Sequence, residues 1–426
     1  MEALGISPLD EHLFRRESGR IVATLTRIFG MHNVALAEDV VQDAFCRALE
    51  VWKLRGVPEN PSAWLMATAK NRALDVLRRE RTALTFAPEL GRLLHTEWTL
   101  APIVQEQFEY QSLKDDQPRM MFSCCHPRLP EEAQVALVLN ILCGFSVPEI
   151  AAAFVSGTHA IEKRISRAKK VLAASKKFFD VTDAADFSAR LPAVQRALYL
   201  LFNEGYHGAS PVSSVRADLC HEALRLATMM REHSLAATPA THALCALMCF
   251  NLARVPSRMD SSGNLIALFD QDRSIWDAGL VKEGQRLLDL AATGSELTEY
   301  HLEAAIASFH SCAADVQKTD WKNIVSLYDL LVKIRPSPVV ALNRAIAIAQ
   351  LEGPQRGLEE LGAIDELERL SEYPFYFAAR AELELRNGNS PEACVQFRAA
   401  LLLARNPMER KFLEQRVKAA ECGPST

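Results

Sequence analysis

Asn71, Asp75, Arg78 and Arg79 fall at offsets of zero, four, seven and eight in one amphipathic segment, so they lie along one exposed side of a helix. An amide, a carboxylate and two guanidinium groups on one face suit hydrogen bonding to base edges combined with phosphate contact, and Lys70 and Arg72 flank them. A second set sits about Gly144-Phe145-Ser146-Val147-Pro148-Glu149. There Ser146 can cap a helix while Glu149 reaches back to it, and Pro148 in the first turn loses an N–H that would have been unpaired anyway. After a turn at Ser156-Gly157, Ile161, Ile165 and Ala168 form an apolar seam that turns Glu162, Lys163, Ser166 and Arg167 outward. Such a pair of helices presents the second to a DNA major groove. A third set, Asp39, Gln42, Asp43 and Arg47, shares one face of a segment whose Val41, Phe45, Ala48 and Trp52 recur at core spacing.

Each set also has a plainer reading. A helical pair with a glycine turn is common in bundles, its basic face merely solvated, and the 39–47 stripe serves either solubility or the docking of a basic helical partner. Cys124-Cys125-His126 invites zinc, but adjacent cysteines do not easily reach one tetrahedral ion and no second Cys/His pair follows, so packing is expected and no metal. Asn203-Glu204-Gly205-Tyr206-His207-Gly208 is a polar and aromatic patch in an apolar run. It is either a ligand or docking site or, as the plainer alternative, a helix end with a capping glycine. No nucleotide-binding glycine loop, telling pair of carboxylates or nucleophile motif is present, so neither an enzyme nor a cofactor is expected.

The elements that must position these residues are helices. The 426 residues are 49% hydrophobic and 24% charged, rich in leucine and alanine, which points to an all-α globular protein of roughly two to four units. The net charge of -5 conceals a local excess: Lys163, Arg164, Arg167, Lys169, Lys170, Lys176 and Lys177 run without an intervening acid. Ten cysteines lie scattered in apolar helical patterns, which reads as reduced thiols, and no apolar stretch has the length of a membrane span; a cytoplasmic location and no membrane contact are expected. Residues 10–81 form a first compact helical unit, and 82–117 an extended acidic connector with Glu97, Glu106, Glu109, Asp115 and Asp116. Residues 118–179 form a second helical unit, followed by a helical array over 187–420. From about 319 the array carries degenerate tetratricopeptide spacing: Ala381, Ala393, Phe397 and Ala400, with Gly388-Asn389 at a turn and Pro407 beyond, preceded by Tyr328 and Pro336 at the matching separation. Over 187–318 only helicity is legible.

Asp-Val-Val-Gln-Asp-Ala-Phe, then Trp-Leu-x5-Asn-x3-Asp-x2-Arg-Arg, then the helix-turn-helix, together resemble the extracytoplasmic-function (ECF) sigma factors over about 10–179. The segments 115–127 and 199–206 resemble the branch with a long tetratricopeptide-type C-terminal extension. The resemblance implies two small sigma domains joined by a linker. It implies binding to core RNA polymerase through the β′ clamp helices and the β subunit, with Asp39, Gln42, Asp43 and Arg47 at the clamp, and promoter DNA as the second partner. By the same likeness Asn71, surrounded by Lys70, Arg72, Asp75, Arg78 and Arg79, captures a flipped minus-ten base, an extrusion that costs a few kcal/mol. Glu162, Lys163, Ser166 and Arg167 match the minus-thirty-five readers. Glu162 departs from the basic or small residue of many relatives, and as an acid it can accept from cytosine N4. The extension is expected to regulate the sigma core through a protein or small-molecule partner. The alternative is an autonomous helix-turn-helix regulator with a tetratricopeptide interaction domain.

Overall fold

The computed structural model describes residues 8–83, 110–154, 156–174, 184–207, 215–261 and 264–422. Among the described residues every named element is a helix, and the single β feature is an antiparallel bridge between Met259 and Leu265. Chain contacts divide the protein into two units, residues 1–201 and 202–426.

The first unit opens with α1 (Pro8–Phe29), α2 (Val34–Arg55) and α3 (Pro61–Ala83), packed against one another. Their shared core is Leu25, Val40, Val41, Ala44, Phe45, Leu65, Ala69 and Ala73, all buried, and Trp52 meets Trp64 edge-on with ring centroids 5.5 Å apart. Next come α4 (Tyr110–Cys124), α5 (Glu131–Ile141), α6 (Val147–Ala153) and α7 (Thr158–Ala173). Residues 110–117, read from sequence as the end of an extended connector, are instead the first turns of α4. The reason is a buried anchor on α1: Asp116 meets Arg27 Nε at 2.8 Å and accepts from the Thr24 hydroxyl at 3.1 Å. Burial raises the Asp116 pKa, and Arg27 and Thr24 partly offset it. The packing of Gln117, Met120 and Met121 outweighs the N–H that Pro118 lacks inside the helix. Glu97, Glu106 and Glu109 of the connector lie outside the described residues. Cys124 and Cys125 are fully buried, and burial pushes the Cys124 thiol up to about 12. The helix α8 (Ala184–His207) begins in this unit, with Phe187 stacked on Phe122 at 3.8 Å between centroids and Arg190 Nη1 donating to the Phe122 carbonyl at 3.0 Å.

The second unit takes the last turns of α8 and continues with α9 (Ala217–Arg231), α10 (Pro239–Ala253), α11 (Ala278–Ala291) and α12 (Glu299–Cys312). Hydrophobic almost all round, α10 is buried almost all round and carries α9, α11 and α12 on its surfaces. The helix end that the plainer sequence reading offered falls at His207: α8 runs through Gly205, where a Cβ would lie 2.8 Å from the Arg216 carbonyl oxygen. Its missing side chain lets the start of α9 approach, and the Gly205 carbonyl accepts from the Arg216 N–H at 2.7 Å. Within 254–277, read as part of the helical array, lie three short 3₁₀ turns and the bridge instead. Then α13 (Trp321–Ile334), α14 (Pro338–Glu352), α15 (Pro354–Gly362), α16 (Pro374–Arg386), α17 (Ser390–Leu402) and α18 (Pro407–Cys422) pack each on the next. The tetratricopeptide positions Ala381, Ala393, Phe397 and Ala400 are all fully buried in one cluster.

Candidate nucleic-acid interface

The exposed side of α3 follows from what its other side buries. With Leu65, Ala69 and Ala73 inward, Asn71, Arg72 and Asp75 face solvent, while Lys70 is partly buried and its pKa is lowered by that burial. Arg78 and Arg79 belong to the same helix, but their side chains lie outside the described residues. On α2 the burial of Val40, Val41, Ala44, Phe45 and Ala48 leaves Asp39, Gln42, Asp43 and Arg47 exposed along one stripe. The two faces adjoin: Arg72 Nε meets the Asp43 carboxylate at 3.0 Å. Both side chains are well exposed, so this pair contributes little to stability and is free to exchange for a phosphate or a partner's charge.

The helix-turn-helix is fixed by its cap. The Glu149 carboxylate accepts from the Ser146 N–H at 2.8 Å and from the Ser146 hydroxyl at 2.7 Å, ahead of the short α6. Ile150 and Ala151 then enter the core together with Ile161, Ile165 and Ala168 of α7. That seam turns Glu162, Lys163, Ser166 and Arg167 to solvent. Arg164 is tied back to Glu132 of α5 at 2.9 Å and lies over Phe154, so its charge braces the module.

The modules carrying these faces pack on each other. A groove of about 540 Å³ is lined by Glu38, Asp39 and Gln42 from α2 and by Glu162, Ser166 and Lys169 from α7. Lys169 Nζ closes it with two contacts to the Glu38 carboxylate, 2.7 and 2.8 Å. Burial raises the Glu38 pKa, and Lys169 works in the opposite direction. Nearby, α1 presses on the end of α5 at Gly19, where a Cβ would lie 2.1 Å from the Leu142 carbonyl oxygen.

Residues 13–83 match Sigma-70 region 2 and residues 119–172 match Sigma-70 region 4. Residues 190–292 match a family of unknown function (DUF6596). The chain is 37% identical over 410 residues to the uncharacterized protein R00370 of Rhizobium meliloti (strain 1021), covering 95% of this chain and 94% of that protein. The chain belongs to the ECF-type sigma factors with a C-terminal extension. No solved structure matches it. A sigma factor is a transcription initiation factor rather than an enzyme, and its partners are core RNA polymerase and promoter DNA. Among the described residues of this sigma factor, no helix is long and apolar enough to cross a membrane.

Sequence reasoning missed Gly19, Glu38 and Lys169. Glu38 adjoins the polar stripe and Lys169 lies in the basic run, but nothing local signals that residues 131 positions apart meet. Charge complementarity between the acidic 38–43 segment and the basic 163–170 segment was the available sign.

Proposed function

We propose that this sigma factor opens promoters through three faces. In this reading residues 10–81 form the region 2 domain, 82–117 the linker, 118–179 the region 4 domain and 187–420 a regulatory extension. Asn71 takes an unpaired minus-ten base, with Lys70, Arg72, Asp75, Arg78 and Arg79 supplying neighbouring hydrogen bonds and phosphate contacts. Asp39, Gln42, Asp43 and Arg47 bind the β′ clamp helices, and the region 4 domain meets the β subunit. Glu162, Lys163, Ser166 and Arg167 read the minus-thirty-five element in the major groove.

The observation that carries this reading is the exposure of Asn71, Asp75, Glu162, Lys163, Ser166 and Arg167 on helices whose apolar neighbours are buried. Their apolar neighbours carry the packing, and these exposed polar groups lie on the surface that DNA can reach. The shared groove adds a second element: with Lys169 on Glu38, region 4 covers part of the region 2 surface assigned to polymerase, a closed form that opens as the core enzyme takes the 39–47 stripe. The extension, in this reading, sets how readily that happens. Permanganate reactivity of promoter thymines, with purified core enzyme and the promoter upstream of the gene, tests the proposal. Asn71→Ala is expected to lower strand opening by about 10- to 100-fold, as a lost base contact of 1–3 kcal/mol implies, with core binding unchanged. Undiminished opening by Asn71→Ala contradicts the role given to Asn71, and transcription unaffected by loss of 187–420 contradicts the role given to the extension.

A further inference from the structure

Within the second unit lies a cavity of about 260 Å³, built by the end of α8, the irregular stretch after α10, the start of α16 and the start of α18. Tyr206, Leu268, Phe375, Phe412 and Leu413 give it apolar walls. Two guanidinium groups, Arg254 and Arg258, reach the same space. Arg258 lies 4.0 Å over the Tyr206 ring and donates to the Tyr206 carbonyl. Arg254 is held between the rings of Tyr206 at 6.0 Å and Trp276 at 5.4 Å.

What these arginines lack is an acid. Among the described residues no carboxylate forms an ion pair with either one. The acid that lines the cavity, Glu409, is already committed: Arg405 Nη2 meets it at 2.6 Å, Arg405 Nε at 3.2 Å, and the Arg405 main-chain N–H at 3.0 Å. The Arg254 Nε and the Tyr206 hydroxyl are both buried without a hydrogen-bond partner. Desolvation lowers the Arg254 pKa, and neighbouring Arg258 lowers it further. Two like charges held side by side in a partly buried pocket, with buried donors left over, are a standing cost that a bound oxyanion lowers. A planar guanidinium fork suits a carboxylate or phosphate, and aromatic walls suit an apolar ring.

We infer that this cavity binds a small organic anion, a carboxylate or phosphate carried on a ring-sized apolar body, with Arg254 and Arg258 on the oxyanion and Tyr206, Phe375 and Phe412 on the body. A volume of about 260 Å³ is too small for a polynucleotide or a folded partner and matches a metabolite. The end of α8 and the stretch after α10 lie far in sequence from α16 and α18, so an occupant ties the two ends of the extension together. That gives the extension a chemical input independent of how the sigma core works.

The test needs no polymerase. The full-length protein is titrated calorimetrically with benzoate, phenyl phosphate, the neutral analogue benzamide and inorganic phosphate. Saturable binding of benzoate or phenyl phosphate is expected, with benzamide and inorganic phosphate weaker by at least about tenfold, and with Arg254→Gln or Arg258→Gln weakening the anions by about 10- to 100-fold. Phe375→Ala leaves both arginines in place and keeps the inference testable if those variants do not fold; it is expected to weaken the ring-bearing anions and leave inorganic phosphate unchanged. Absence of saturable binding by either anion up to about 10 mM overturns the inference. So do benzamide or inorganic phosphate binding as tightly as the ring-bearing anions, folded arginine variants binding like the parent, and an unaffected Phe375→Ala.

Discussion

Single side chains divide here into those that hold the structure and those it leaves free. Glu162 is exposed, its carboxylate 3.6 Å from the exposed His159 ring, and as an acceptor it suits a cytosine amino group. Glu162→Gln is therefore expected to relax the preference at one minus-thirty-five position by about 1–3 kcal/mol, read as promoter competition across the four bases at each position. Lys169 and Glu38 hold. Lys169→Ala strands a largely buried carboxylate and is expected to cost the closed packing about 1–2 kcal/mol, with Glu38→Gln recovering part of it in the double variant; a thermal unfolding cycle measures the coupling. His310 holds in a different way. It is buried beside Arg254 and Arg273, and desolvation first, then those two cations, bring its pKa from the ordinary 6.5 down to about 3. The unfolded chain thus binds more protons than the folded one between these values, so stability rises with pH across that window, is complete above about 6.5 and is lost on acidification. Between pH 7 and about 5.5 this one group is expected to cost the extension about 1 kcal/mol, measurable by denaturant unfolding; His310→Gln should flatten that part of the profile.

Among the helices, legibility tracked how local the cause was. The cap at Ser146 and Glu149 was readable because a serine, a glutamate and three positions of spacing contain the whole mechanism. Ser146→Ala should destabilise the helix-turn-helix by about 1 kcal/mol, seen as earlier melting and weaker promoter binding. The cluster of Ala381, Ala393, Phe397 and Ala400 was readable because repeats restate one spacing, and Phe397→Ala is expected to cost about 3–5 kcal/mol by chemical denaturation. The helical start of α4 was not readable. Its support is Arg27, far back in the chain, meeting Asp116 in the core, and the local composition with Pro118 argues for a loop. The part played by Gly205 was not readable for the same reason: only the arrival of α9 shows that it serves close approach. The stretch 254–277 gave no periodic signal of its irregularity, yet it supplies Arg258, Leu268 and Gln271 to the cavity.

At the scale of the whole molecule, the exposure of the faces proposed for DNA and polymerase was legible one helix at a time, and the packing of the modules that carry them was not. Gly19 is a point of close approach in the first unit, since a methyl group there collides with the Leu142 backbone. Gly19→Ala should loosen the closed form; paired labels on α2 and α7 would report a longer distance, with helical content unchanged. The most direct measurement of what the molecule is for is runoff transcription from the promoter of its own gene neighbourhood, with purified core polymerase at physiological salt. Defined transcripts that need both core enzyme and this protein are expected, together with little duplex binding by the protein alone. Polymerase that ignores the protein, or tight promoter binding without polymerase, would contradict the assignment and favour a free-standing DNA-binding regulator.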